Sequence, residues 1–236
     1  MTTSSSPILE LSGVSKDYRG LRPLRIASLA VRSGEHIAIL GLDQITAEVF
    51  VNLITGATLP DHGEVRLFGR STTAITDSAD WLAVVDRFGI VSRRAVLLDS
   101  LTVVQNLAMP FTLEIEPPPE DIRRRVVALA RRVGLSDASL DRPVAELGPS
   151  GHARLRLGRA LALDPAVVIL EHATAEVPRE DVAALAVMCR DVAAATIALT
   201  ADAEFADAVA DRCLRLDAAS GRLAGRSGWF SRLRGG

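Results

Sequence analysis

Residues 146–177 read ELGPSGHARLRLGRALALDPAVVILEHATAEV, and this stretch decides the fold. Leu155, Leu157 and Leu161 put an apolar face on a helix expected over about 152–163. After Asp164 and Pro165 comes a short continuous apolar run, 167–170, of the kind that is buried on both faces in a parallel sheet. The strand ends on two groups that chemistry could use, Glu171 and His172. From there the pattern alternates: a helix across 179–194, the strand TIALT, a helix across 203–211, and CLRLD with a hairpin at 218–221. Strands alternating with helices imply a parallel sheet with crossover connections.

Working back toward the N-terminus, 8–14 and 24–31 read as strands joined by a turn around Arg19 and Gly20, an antiparallel edge layer. The run HIAILG, 36–41, reads as another buried strand, followed by a loop and a helix over about 46–55. GEVRLFG, 63–69, alternates as a strand, and a further buried strand ends near Val91. Residues 101–115 look helical, the prolines 117–119 break the chain, and 120–133 repeats apolar positions at Ile122, Val126, Val127, Leu129, Ala130 and Val133 with arginines opposite. That arginine face is expected to be solvated.

The chain has 236 residues, nearly half of them apolar, enough to bury the core of one large domain. A formal charge of −2 and the lack of a basic run argue against nucleic-acid binding. No segment approaches the roughly 18 apolar residues of a membrane helix, so a cytosolic location is expected, with membrane contact only through partners. Cys189 and Cys213 lack metal-ligand spacing and read as reduced thiols. The single lysine is Lys16. The tail around Trp229 and Phe230 mixes aromatics with arginines and reads as a terminus that could touch a membrane or a partner.

Arg159-Ala160-Leu161-Ala162, Asp164-Pro165, the 167–170 strand and Thr174 fall in register with the ABC-transporter ATPases, and the order of elements resembles their nucleotide-binding domain over almost the full length. The resemblance implies an α/β fold. Its core is a P-loop NTPase-like parallel sheet of the ABC ATPase type, with an N-terminal antiparallel β layer and an inserted helical subdomain. The implied division is a core of about 1–92 and 164–225, a helical subdomain of about 93–163 and a tail of 226–236. The wording LTVVQNLAMPFTL is closest to the exporter and lipoprotein-release branch.

Carried over residue by residue, the resemblance places altered chemistry at the family's working positions. The phosphate loop corresponds to Gly41-Leu42-Asp43-Gln44-Ile45-Thr46-Ala47-Glu48, in which only the first glycine, Gly41, is kept. Gln44 and Thr46 lie within the loop, Ala47 stands at the lysine position, and Glu48 stands where a hydroxyl would hold magnesium. A carboxylate within about 4 Å of phosphate is repelled by roughly 4 kcal/mol at an intermediate dielectric. Glu48 is instead expected to lie in the first helical turn and answer the helix dipole. Tyr18 stands where the family stacks an aromatic ring on adenine, with simple packing as the alternative. Arg93 takes the place of a glutamine that contacts magnesium and water.

Leu147-Gly148-Pro149-Ser150-Gly151 replaces the signature Leu-Ser-Gly-Gly-Gln. Pro149 removes an amide donor, and Ser150 and Gly151 could restore a phosphate grip only if the loop slipped. Glu171 keeps a carboxylate at the magnesium-ordering place. His172 replaces the general-base glutamate and could itself act as a base. Ala201 replaces the histidine that senses the terminal phosphate. The cofactors implied by resemblance are ATP and Mg2+; the residues argue for weak ATP binding at most and against Mg2+.

The expectation is therefore a degenerate ATP-binding subunit of an ABC transporter at the cytoplasmic face of the membrane. It would dock a membrane-spanning permease through the groove between core and helical subdomain and pair with a second, competent ATPase. An atypical ATPase using Glu171 and His172, and a stand-alone scaffold, remain as alternatives.

Overall fold

The computed structural model describes residues 6–225, so the aromatic and arginine tail read from the sequence lies outside the described residues. Two sheets form the frame. The first is antiparallel and built from β1 (Leu9–Lys16), β2 (Leu24–Val31), β4 (His62–Leu67) and the short β5 (Arg70–Ser71), in the order β2-β1-β4-β5. The second has the order β10-β9-β3-β8-β7-β6, from β3 (His36–Leu40), β6 (Phe88–Val91), β7 (Val167–Glu171), β8 (Ala195–Leu199), β9 (Arg212–Asp217) and β10 (Arg222–Gly225). All its pairings are parallel except β9 with β10. Strands β3, β7 and β8 are buried at every position, mostly by apolar residues, with His36, Glu171 and Thr196 as the polar members.

Among the described residues seven α-helices pack on the sheets: α1 (Gln44–Ile54), α2 (Ser78–Val85), α3 (Val103–Ala108), α4 (Glu120–Arg132), α5 (Pro149–Leu161), α6 (Arg179–Arg190) and α7 (Ala203–Val209). Helix α1 fills the space between the two sheets, where Phe50, Leu53 and Ile54 join Ile37, Ile39 and the apolar faces of β1 and β2. The other face of the parallel sheet is covered by α3 to α7 in one continuous core that runs from Val103 and Leu155 to Phe205. Helical segment and sheet thus share a single hydrophobic layer.

Several sequence expectations shift. Helix α1 starts at Gln44 rather than 46, because Asp43 caps it. The helix expected over 101–115 shortens to Val103–Ala108, held at its start by a capping box of Thr102 and Gln105 and followed by Pro110. Helix α5 begins at Pro149, a first-turn position that proline tolerates because its missing N–H would be unpaired there. The arginine face of α4 is only partly a solvated face. Arg123 bonds Asp141, Arg131 bonds Asp137, and the Arg125 guanidinium lies 4.1 Å from the Phe111 ring centroid. Neither cysteine is in a disulfide; Cys213 Sγ donates to the Ala206 carbonyl at 3.3 Å, and burial pushes Cys189 up to about 12, which keeps it an inert core residue.

His36 opens β3 with only 8% exposure, and its Nδ1 has no hydrogen-bond partner among the described residues. Burial, reinforced by the positive charge of Arg190, holds its pKa below the ordinary 6.5 against the opposing charge of Asp211. Folded His36 therefore stays neutral where the unfolded chain would take up a proton. The linked stability is present above 6.5 and is lost as pH falls from there through the lower folded-state value. Denaturant midpoints measured from mildly alkaline to mildly acidic buffer should show this loss, and His36→Leu should flatten the slope.

Candidate functional site

The site lies at the C-terminal ends of β3, β6, β7 and β8, where a parallel sheet leaves room for ligands. Strand β3 delivers the chain to Gly41, whose φ of +95° and 3.0 Å approach of a would-be Cβ to the Leu216 carbonyl oxygen leave glycine as the residue that fits. The chain then goes almost directly into α1. Asp43 is the N-cap: its carboxylate accepts from the Thr46 amide at 2.7 Å, and Ala47 N–H donates to the Asp43 carbonyl at 2.8 Å. The hydrogen bonds from Thr46 hold the Asp43 carboxyl below the usual carboxylate range.

A helix N-terminus that would attract phosphate has thus been given a carboxylate from its own chain. Glu48 does not play that part, contrary to expectation. It lies in the second turn of α1 and pairs with Arg94 at 3.1 Å. Gln44 is exposed, while the Ala47 side chain is fully buried in the core beneath the helix. Tyr18 leans over Gly20 and places its hydroxyl 3.1 Å from Thr46 Oγ1, so it braces the start of α1 from within the chain. Lys16 pairs with Asp61 at 2.7 Å.

Arg94 joins the two ends of the site. One guanidinium nitrogen lies 2.6 Å from Glu171 Oε2 and another 3.1 Å from Glu48 Oε1. Burial disfavours the Arg94 charge, but the hydrogen bond and charge of Glu171 and the charge of Glu48 outweigh it and raise its pKa above the ordinary value. Arg93 turns the other way. It lies 2.9 Å from Glu176, which Arg156 on α5 approaches at 3.8 Å, so Arg93 meets a carboxylate of its own chain.

His172 sits in the left-handed region at φ +47°, anchored by its amide on the Leu199 carbonyl at 2.8 Å. Its Nε2 is buried and has no hydrogen-bond partner among the described residues. A general base must reach a water that it can deprotonate, and this nitrogen does not face solvent. A cleft of about 370 Å³ beside it is lined by Thr174, Arg179, Thr200 and the exposed Ala201.

At the start of α5, Gly148 is the N-cap and offers no side-chain cap. Ser150 Oγ bonds Asp181 on α6 and is thereby committed inside the chain, and Gly151 rests on Leu147. The expected site residues thus fall into two groups. Gly41, Thr46, Glu48, Glu171 and His172 lie at the C-terminal edge of the parallel sheet, with Tyr18 bracing the loop, whereas Gly148, Ser150 and Gly151 lie at the start of α5, whose Pro149 lines a small cavity with Glu171 and His172.

The sequence reading missed Asp43, Arg94 and Glu176. Asp43 carried a legible signal, an Asp directly before a helix. Arg94 carried a weaker one: two carboxylates meeting at one place need a cation. Both carboxylates at the end of the site, Glu48 and Glu171, are paired with the Arg94 guanidinium. At the start of α1 the Asp43 carboxylate takes the Thr46 amide, and Lys16 is paired with Asp61.

Comparison with known proteins places this geometry in a lineage. The ABC transporter family model matches residues 24–175. The methionine import ATP-binding protein MetN of Brucella abortus is 29% identical over 218 residues, which cover 91% of this chain and 58% of that protein. MetN of Ralstonia nicotianae is 32% identical over 221 residues, covering 89% of this chain and 62% of its own length. The chain thus spans less than two thirds of these relatives. Among solved structures, CbiO1 of Clostridium perfringens superposes with a TM-score of 0.77 at 20% identity, over 93% of this chain and 88% of that one. The dimeric bacterial ABC transporter cassette MJ0796 gives 0.74 at 19% identity, over 91% and 96%. These two likenesses establish the ABC ATPase fold, and with the family match over 24–175 they lead to one conclusion: the chain belongs to the ABC transporter family.

Proposed function

We propose that this chain is the ATP-binding-cassette subunit of an ABC membrane transporter that hydrolyses little or no ATP itself. It acts at the cytoplasmic face as structural or regulatory partner of a membrane-spanning permease and of a second, competent ATPase. The observation that carries this reading is the closed N-terminus of α1. The Asp43 carboxylate accepts from the Thr46 amide, one of those that would grip phosphate, and the lysine position is a buried alanine. The organisation proposed with it is a core of about 1–92 and 164–225 and a helical subdomain of about 93–163.

The relatives named above are import proteins, so the direction proposed is import rather than the export suggested by the wording of 101–113. Methionine is what those relatives' names carry, and no residue of this chain argues for it. The permease docking place is the groove between β6, α5 and the segment after β6. It measures about 260 Å³ and includes Phe88, Ile90, Leu97 and Leu163 with Arg159. Leu163 beside it is 54% exposed, an apolar side chain that a docked partner would cover.

The test is binding of a fluorescent ATP analogue and magnesium-dependent turnover by the purified chain, beside Tyr18→Ala and His172→Ala. The expected result is no binding at millimolar nucleotide and turnover at background in all three proteins. Tight magnesium-dependent binding, or turnover abolished by His172→Ala, would overturn the reading in favour of an atypical ATPase.

A further inference from the structure

We propose that Arg94 is a built-in substitute for a divalent cation, its guanidinium holding Glu48 and Glu171 together so that the pocket keeps its shape with neither metal nor nucleotide. The inference rests on the reading above in one respect, that the pocket descends from a magnesium-nucleotide site. The two positions assigned to magnesium in that lineage are those of Glu48, in α1, and Glu171, at the end of β7. The same guanidinium contacts both, at 3.1 Å and 2.6 Å.

The charge count explains why these changes belong together. Glu171 is only 3% exposed, and a carboxylate so buried needs a positive partner. Placing a second carboxylate at Glu48 would deepen that need if a small hydrated ion were the only counter-charge. A planar guanidinium offers two forks and satisfies both carboxylates from a fixed position, without drawing an ion from solution. Magnesium demands near-octahedral oxygen ligands at about 2.0–2.1 Å and cannot share that space with a like charge.

The arginine is itself held in place. Its amide donates to Ser92 Oγ at 3.1 Å, and its neighbour Arg93 is tied to Glu176. Both arginines at the exit of β6 are thus fixed by carboxylates of α1, of β7 and of the loop after β7. The segment that leads from the sheet into the helical region is set by internal charge rather than by ligand.

The test uses the full chain without nucleotide, its melting temperature followed against Mn2+ concentration after treatment with chelator. The wild type should not respond to millimolar Mn2+. Arg94→Ala should melt at a lower temperature in chelator and recover with the logarithm of Mn2+ concentration, because Glu48 and Glu171 then face each other without a cation. Adding Glu171→Gln to Arg94→Ala should abolish the recovery. Should Arg94→Ala fail to fold, Glu48→Ser is the second variant: Arg94 keeps Glu171 and this protein should remain insensitive to Mn2+. A wild-type or Glu48→Ser response that Glu171→Gln removes, or a folded Arg94→Ala that ignores Mn2+, overturns the proposal. Because no nucleotide is present, failure here is distinct from failure of the ATP-binding test.

Discussion

Gly89→Ala is expected to destabilise the chain by about 3 kcal/mol, the upper end of ordinary overpacking penalties. Gly89 lies in β6, and a Cβ built on it would stand 2.1 Å from the Ala160 carbonyl oxygen and 2.9 Å from its carbonyl carbon. Those are backbone atoms of the last turns of α5, so no rotamer change relieves the clash; helix and strand must separate. That movement would also spread the groove formed by Phe88, Ile90 and Leu163, where a permease is proposed to dock. Chemical denaturation should therefore show a lower midpoint in Gly89→Ala. Gly148→Ala has no heavy atom within 4 Å of the new methyl, and should lose at most about 1 kcal/mol through the poorer N-cap. Equal losses in the two variants would mean that α5 is not seated on β6 as described.

The frame of the molecule was legible because its signals are local and redundant. The run 167–170 is apolar at each position, and it is buried at each position, since a strand covered on both faces admits nothing else. Element ends were less legible where a side chain rather than a period decides them. Asp43 moves the start of α1 two residues upstream, and Pro110 follows the shortened α3. At the site, the resemblance points to positions that differ from the family's working groups but not to what the residues there contact. Glu48 reads as a response to the helix dipole only while the helix is taken to start at about 46 rather than directly after Asp43, its actual cap. Arg93 drew notice because it stands at an aligned position, while the neighbouring Arg94 makes the two central ion pairs. Which of two adjacent arginines turns inward depends on the loop after β6 and on carboxylates 46 and 77 residues away in the chain, 94 − 48 and 171 − 94, and one-dimensional patterns do not encode that.

On the proposed reading that this chain does not grip nucleotide, a lysine placed at position 47 should not by itself supply the grip: Ala47→Lys is expected to cost about 4 kcal/mol, because burial disfavours the ammonium charge. The reason is the early start of α1. With the helix running from Gln44, position 47 no longer belongs to a loop, and its side chain has no exposure at all. It faces the same core as Phe50, Val51 and Ile54, three, four and seven residues on along the helix. A lysine there must either bury its charge or thread its stem past α1 toward Asp43 and Glu48, which means giving up the packing that holds the helix between the two sheets. Denaturation of Ala47→Lys beside the wild type measures the cost, and nucleotide titration of the same variant measures any gain. Combining it with Asp43→Gly and Glu48→Ser removes the competing carboxylates and frees the helix end, so whatever affinity can be recovered should appear only in that triple variant. A stable single variant that binds ATP would mean that the loop from Gly41 to Glu48 still refolds around phosphate, and that the closure by Asp43 is a resting state rather than a lost function.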